Sequence, residues 1–395
     1  MPGELGFKLD PYQQFVPTPH IFPEGLPESS VPHTWGVKDE DKIPEIWVTV
    51  GLGNSRSLKG GEGNYPSVSL WNEKGDRLGQ HDGRWSNPLK QGGQKTMAIQ
   101  QTQNGKKDED PGYIMLSADD DAICIAMIQV SNSRHSSAFF GDIGYACGQT
   151  WYYSSRMMQK HMTDYLDSRC VWLDADHTGG KNARAMSYHL RDMIPSKDKL
   201  ALYNKDGHKY LCNPTRRYSY WKNLKANGEI PFFDPPLKYL PDSADKSREG
   251  TEVDPDLVFD PTNYDKDVYI KQGESKEDSE YHKNNPFKDR MRKRQHRLSK
   301  RQGSNMDIER IVVTEIPGQT ATEICQHPNS AGYDIVSYED MKYCDLSERK
   351  LYDLCSSSNP TNCFDANSTT FVGVINARGE DSAPVKLYKT KDYWK

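Results

Sequence analysis

From Glu45 onward, apolar residues recur at every second position rather than every third or fourth, which is the period of a half-buried strand. "EIWVTVGL" (Glu45 to Leu52) reads as a strand. "YPSVSLWNEKGDRLGQ" reads as a hairpin that turns at Glu73-Lys74-Gly75-Asp76. "KTMAIQQTQ", "GYIMLSA" and "AICIAMIQVS" continue the series, followed by the aromatic, glycine-punctuated "SAFFGDIGYACGQTWYYSS". "CVWLDADHTGG" is a strand entering a turn, "ARAMSYHLRDM" alternates as a strand, and "KLALYNKDGHKYLCN" is a hairpin around Asp206-Gly207. Short strands with turn signals between them predict an antiparallel β-sandwich or jelly roll over 43–235. The one helix expected there is Ser155 to Ser168, with Met158, Met162, Tyr165 and Leu166 on one face.

Two segments depart from this pattern. Residues 1–42 are proline-rich and weakly patterned, an extended arm. From about Pro241 the chain turns acidic, rich in Pro and Ser and poor in aliphatic clusters, then strongly basic. Residues 236–305 are therefore expected to be a disordered linker, with too little apolar area to offset the entropy of ordering. Periodicity returns at 306–395, a small α+β unit. "IERIVVTEIPG", "TTFVGVINA" and "PVKLYKT" read as strands, and "YEDMKYCDLSERKLYDLCSSS" as a helix with Met341, Cys344, Leu346, Leu351 and Leu354 on its apolar stripe. The whole is mainly β, in two folded parts.

Composition sharpens the compartment. The chain has 395 residues, a net charge of -5, 30 Gly and 24 Pro, yet 8 Trp and 22 Tyr exclude wholesale disorder. The net charge gives no general attraction to nucleic acid, and no apolar run is long enough to span a bilayer. The first residues show no signal peptide. The eight cysteines point the other way. Cys124, Cys147, Cys170 and Cys212 precede the basic stretch, and Cys325, Cys344, Cys355 and Cys363 follow it, none with CxxC spacing. Two self-contained disulfide sets are expected, each with three connectivities open. Asn367-Ser368-Thr369 is a glycosylation acceptor.

The basic stretch from Lys288 to Arg301 sits between the two quartets. Lys300-Arg301 is a dibasic pair suited to a kexin-like processing protease, whose acidic subsites pair with both cations. A nuclear address and a solvated charged hinge are the alternatives. Disulfides favour processing, because they belong to oxidising compartments.

Candidate chemistry centres on "CVWLDADHTGG". An apolar strand ending in Asp174-x-Asp176 resembles the first motif of haloacid-dehalogenase-type phosphotransferases, which implies a nucleophilic Asp174, a proton-handling Asp176 and Mg²⁺. The strand-rich surroundings lack the α/β fold that family needs. The same stretch is similar to a calcium loop with ligands Asp174, Asp176 and Thr178, although Ala185 stands where an EF-hand places its bidentate acid. An Asx turn is the structural alternative. "DDDAIC" (Asp119 to Cys124) reads as a solvated hairpin tip, and "GLGNSR" lacks the third glycine and the helix of a dinucleotide loop. Trp151, Tyr152 and Tyr153 would stack on sugar rings if exposed. His177 and His189 alone lie near other candidate polar groups.

The progression "DAICIAMIQVS", "FFGDIGYACGQTWYYSS", "CVWLDAD" resembles a group of secreted proteins of filamentous ascomycete fungi that share a DAIC, GDxGxxCGxxWYYS, CxWxDA pattern. The likeness covers about Tyr113 to Asp176. It implies secretion, disulfides and processing at Lys-Arg, and carries no activity. The reading that results is a secreted binding or effector-like protein, without cofactor, whose partners are a processing protease and a cell-wall glycan or host component. A metal-assisted hydrolase using Asp174 and Asp176 with Ca or Mg, and a nuclear regulatory or cytoplasmic protein, are the alternatives.

Overall fold

The computed structural model describes residues 45–53, 64–83, 93–104, 106, 108–159, 165–194, 211–212, 216–233, 236–237, 309–373 and 386–395. The proline-rich arm, most of the expected Asp206-Gly207 hairpin, the acidic-to-basic linker and Lys300-Arg301 lie outside the described residues.

The alternating pattern produces strands in the order β1 (Glu45–Leu52), β2 (Ser67–Trp71), β3 (Arg77–His81), β4 (Gln94–Gln100), β5 (Tyr113–Ser117), β6 (Ile123–Ser131) and β7 (Ser136–Phe140). A short helix α1 (Gly141–Ala146) follows, then β8 (Trp151–Gln159), β9 (Tyr165–Leu173), β10 (Ala185–His189) and β11 (Tyr218–Trp221). They form two antiparallel sheets, one ordered β4-β1-β6-β9-β8 with β7 also paired to β6, the other β11-β10-β5-β2-β3. Alternation decides which side chains face inward. Ile46, Val48 and Val50 of β1 are fully buried, whereas Trp47 between them is exposed. Ile46, Val48 and Val50 pack with Val68, Leu70, Ile114 and Leu116 of the opposite sheet, which makes this part a β-sandwich.

The second sheet is buried on both faces, and its strands β2, β5 and β10 are buried along their whole length. Its outer face (Trp71, Tyr113, Met115, Ala185 and Trp221) is covered by Leu224, Ile230, Phe233 and Leu237 of the segment after β11. This explains why those strands read as nearly continuous apolar runs.

The C-terminal part comprises β12 (Arg310–Thr314), α2 (Ala321–Gln326), β13 (Asp334–Ser337), β14 (Lys342–Asp345), β15 (Lys350–Asp353), the hairpin β16 (Cys363–Asp365) and β17 (Thr370–Val372), and β18 (Thr390–Trp394). Its sheet is ordered β15-β14-β13-β12-β18, with β12 parallel to both β13 and β18. Thr320 caps α2 by accepting the Glu323 N–H at 3.1 Å.

Both predicted helices are strands. Ser155–Gln159 and Tyr165–Ser168 instead belong to the paired strands β8 and β9, whose register places Met157 opposite Asp167 and Met158 opposite Leu166, the residues between them lying outside the described ones. The flanking strand formers Trp151–Tyr153 and Cys170–Leu173 already pair, so continuing that ladder overrides a weak helical stripe. The Met341–Leu354 stripe is the β14–β15 hairpin. Asp345 accepts the Ser347 hydroxyl at 2.6 Å and the Glu348 N–H at 3.1 Å, and Arg349 takes positive φ, so "DLSER" is a turn. The strand expected in "PVKLYKT" begins later, at Thr390.

All eight cysteines pair. Cys124–Cys170 and Cys147–Cys212 lie in the N-terminal part, Cys325–Cys344 and Cys355–Cys363 in the C-terminal part. The two disulfide sets are separate, but the cores are not. Val312, Ile316, Ile324, Cys325, Ile335, Cys344 and Trp394 join the sandwich cluster that contains Trp151, Tyr152 and Trp172. On β12 alternate residues diverge: Val312 enters the shared core, while Ile311 and Val313 pack with Tyr343, Phe364 and the C-terminal part's own cluster.

Candidate functional site

The chemistry-bearing residues fall into three groups. The first is the Asp174 turn at the end of β9. Asp174 is fully buried, and Asp176 N–H donates to its Oδ1 at 3.3 Å. Thr178 donates to its Oδ2 from both the backbone N–H (2.9 Å) and the hydroxyl (2.7 Å). Burial, with Asp176 beside it, pushes the Asp174 carboxyl up to about 7. Lys181 lies over the Trp172 ring at 4.9 Å and donates to the Thr178 carbonyl at 3.0 Å. The sequence motif thus does bring Asp174, Asp176 and Thr178 together, as the Asx turn that was the structural alternative.

That geometry suits neither catalytic reading. A nucleophilic aspartate needs an open, ionised oxygen, and Asp174 is enclosed with donors on both oxygens. The same donors occupy lone pairs of the Asp174 oxygens that a cation would need. Among the described residues no group of three His, Cys, Asp or Glu side chains is arranged to hold a metal ion. Asp119 meets this turn through the Ala175 N–H, which donates to its carbonyl at 3.1 Å.

The second group is a buried ion network in the second sheet. His189 sits between Glu73, 2.9 Å from Nε2, and Asp192, 2.9 Å from Nδ1. Arg217 donates to the other Asp192 oxygen at 2.6 Å. His189 and Asp192 are both buried. Burial opposes the imidazolium, but the two carboxylates outweigh it and raise the His189 pKa to about 9. His189 is therefore a cation with both N–H groups donated. It holds β10, the β2–β3 turn and the 3₁₀ turn Leu190–Met193 together. Sequence reasoning noted His189 but had no means of finding Glu73, 116 residues away.

The third group, missed by sequence reasoning, lies where the two halves meet. Trp151, Tyr152 and Tyr153 are buried there, so they offer no ring for a sugar to stack on; the C-terminal part covers them. The Trp151 indole N–H donates to His327 Nδ1 at 2.9 Å, and the Tyr152 hydroxyl to the Tyr333 carbonyl at 3.0 Å. Arg169 lies against Tyr145, 4.2 Å from the ring centre, with its guanidinium shared between Asp142 (3.0 Å) and Glu323 (2.8 Å). Tyr145 and Tyr153 both donate to Glu323. Burial with the Glu323 charge alongside pushes the Tyr145 hydroxyl up to about 12. Arg349 supports the C-terminal side by donating to the carbonyls of His327 (2.7 Å) and Ser330 (2.8 Å). The sequence clue was "TATE" at the start of α2 (Thr320–Glu323), a capping pattern whose glutamate side chain turns instead to Arg169.

No protein-family model matches the chain, and no curated protein matches it.

Exposed aromatics lie elsewhere, Trp47 on β1 and two tyrosines of the C-terminal part. Tyr338 and Tyr393 of the C-terminal sheet are 39% and 57% exposed. Partial burial, with Tyr393 and Glu315 nearby, pushes the Tyr338 hydroxyl up, against the opposing charge of Lys395. Lys391 is 5.8 Å from the Tyr393 ring centre. Asn367 is exposed at the β16–β17 turn.

Proposed function

We propose that the protein is an extracellular binding protein, matured by cleavage at Lys300-Arg301, that takes up polymeric glycan through Tyr338 and Tyr393. The observation that carries the compartment is the pairing of every cysteine into four disulfides, an arrangement that belongs to oxidising surroundings. The exposed position of Asn367 fits the same route. No helix among the described residues is long and apolar enough to cross a membrane. The binding surface rests on two partly exposed tyrosines, Tyr393 with Lys391 over its ring, a combination of aromatic surface and cation that suits sugar rings and their hydroxyls.

Intact-mass spectrometry of protein from its source tests the first part. Two hydrogens gained per disulfide on reduction, a cut after Arg301 and a glycan increment at Asn367 are expected; eight free thiols would refute secretion. Retention on insoluble chitin and β-glucan tests the second. Tyr393→Ala should weaken retention about tenfold, the loss of one stacked ring. Equal retention of variant and wild type removes this surface from the reading.

A further inference from the structure

We infer that residues 309–395 are a non-covalent subunit of the sandwich, so that the protein cut between the two parts persists as a two-chain complex and is not released as two pieces. This deepens the processing reading above, on which it rests only for where the natural cut falls.

Three observations carry it. First, no disulfide joins the parts: each of the four closes within its own half. Whatever holds them together after a cut is therefore the contact itself. Second, that contact continues the sheet. The edge strand β8 accepts a short parallel bridge: the Trp151 N–H donates to the Asn329 carbonyl at 3.0 Å, and the Ala331 N–H to the Trp151 carbonyl at 2.9 Å. Main-chain addition to an open edge is a recurrent mode of recognition between separate chains. Third, the side chains at the seam are those that anchor interfaces. Tyr152 packs edge-on against Tyr333 and Trp394. The Trp172 indole N–H donates to the Ala331 carbonyl at 2.6 Å, and the Gln319 side-chain amide to the Ser154 carbonyl at 3.0 Å. Arg169 is the charged centre, held by carboxylates from both sides of the seam.

Neither part has a finished surface alone. Without the C-terminal part the sandwich would uncover Trp151, Tyr152 and Tyr153; without the sandwich Val312, Ile335 and Trp394 would face water. Patches of that kind mark interaction sites. While the chain is continuous the contact is intramolecular, and dilution does not oppose it. After a cut it becomes bimolecular, and its occupancy depends on concentration.

The test uses the full-length oxidised chain treated with a kexin-type protease. A second form carries a different protease's recognition sequence inserted after Arg301, so that a chain kexin leaves whole is still cut. Failure of kexin counts against natural processing, whereas the inserted site decides the present inference. After cutting, two fragments should separate on a denaturing gel without reductant, yet co-elute at the size of the uncut protein in native buffer at micromolar concentration. Glu323→Ala removes the partner of Arg169, Tyr145 and Tyr153 and should raise the concentration at which the cut fragments part on the order of a hundredfold. Gly332→Val is the second variant. A β-carbon at Gly332 would lie 2.4 Å from the Tyr152 ring, so its cut fragments should also part. Both variants should elute like wild type while uncut. Wild-type fragments that elute apart, or that need reductant to part in denaturant, would overturn the inference.

Discussion

The His189 network gives a stability that should fall as the medium becomes alkaline. The folded pKa of about 9 lies above the unfolded value near 6.5, because the Glu73 and Asp192 carboxylates favour the imidazolium. A raised pKa means that the native state binds the proton more tightly. Its contribution is thus complete below pH 6.5 and lost as pH rises through 9. The shift corresponds to about 3 kcal/mol, a large share of the 5–15 kcal/mol that typically separates folded from unfolded chains. Urea unfolding of the oxidised protein at a series of pH values from 5.5 to 10 should show this decline. In His189→Gln the two carboxylates lose their shared cation. That variant should be less stable at pH 6 and should lack the decline between 6.5 and 9, with Arg217 still holding Asp192. If wild type and variant lose stability in parallel over that range, the cation is not His189 and the reasoning fails.

Asp174→Asn should mimic the protonated carboxyl. Because the Asp174 pKa is raised to about 7, its ionisation costs stability progressively between pH 4 and 7, and the variant should lose the decline expected of wild type over that range when the same urea series is carried down to pH 4. Replacing Cys124 and Cys170 together with alanine opens a closure of 46 residues and should lower stability by about 4 kcal/mol on the chain-entropy account, read as an earlier urea midpoint. Lys386 lies 2.7 Å from Asp334 and 2.5 Å from Asp345, both buried. Lys386→Met strands two carboxylates and should cost about 3–5 kcal/mol at pH 7. Acid should partly rescue it, whereas acid weakens this site in wild type, where Lys386 helps hold Asp345 below the usual carboxylate range; equal acid responses would contradict the assignment.

The sandwich strands were legible because alternation is local: the pattern of Glu45 to Leu52 states which side chains turn inward, whereas Asp334–Ser337, buried at every position, carries no such alternation and was not read as a strand. The two false helices share one cause. Met158, Met162 and Leu166, like Met341, Cys344 and Leu351, fit a 3.6-residue stripe, yet each segment's neighbours were already committed to pairing. Each segment pairs with itself as a hairpin, Met158 opposite Leu166 and Cys344 opposite Leu351, and a further strand takes its other edge, β6 for β9 and β13 for β14; a helical stripe read in one window carries neither kind of pairing. The same limit hid the candidate site. Trp151-Tyr152-Tyr153 is conspicuous in sequence, but whether such rings meet solvent or protein depended on a segment some 180 residues later, as the Tyr152 to Tyr333 bond shows. Asp174-x-Asp176-x-Thr178 was found at the right place, while its enclosure was not, because burial is a property of what packs over a turn.

The parallel pairing of β12 with β18 also orders events in time. During synthesis the sandwich strands emerge first and can condense on one another. β12 must then wait between β13 and an empty flank until Thr390–Trp394 leaves the ribosome. Trp394 meets Tyr152 across 242 positions of sequence, so the aromatic surface of the nascent sandwich stays open through most of the translation that follows it. A chaperone that shields tyrosine and tryptophan faces in that interval would be expected to raise yield more than one that acts on the finished chain.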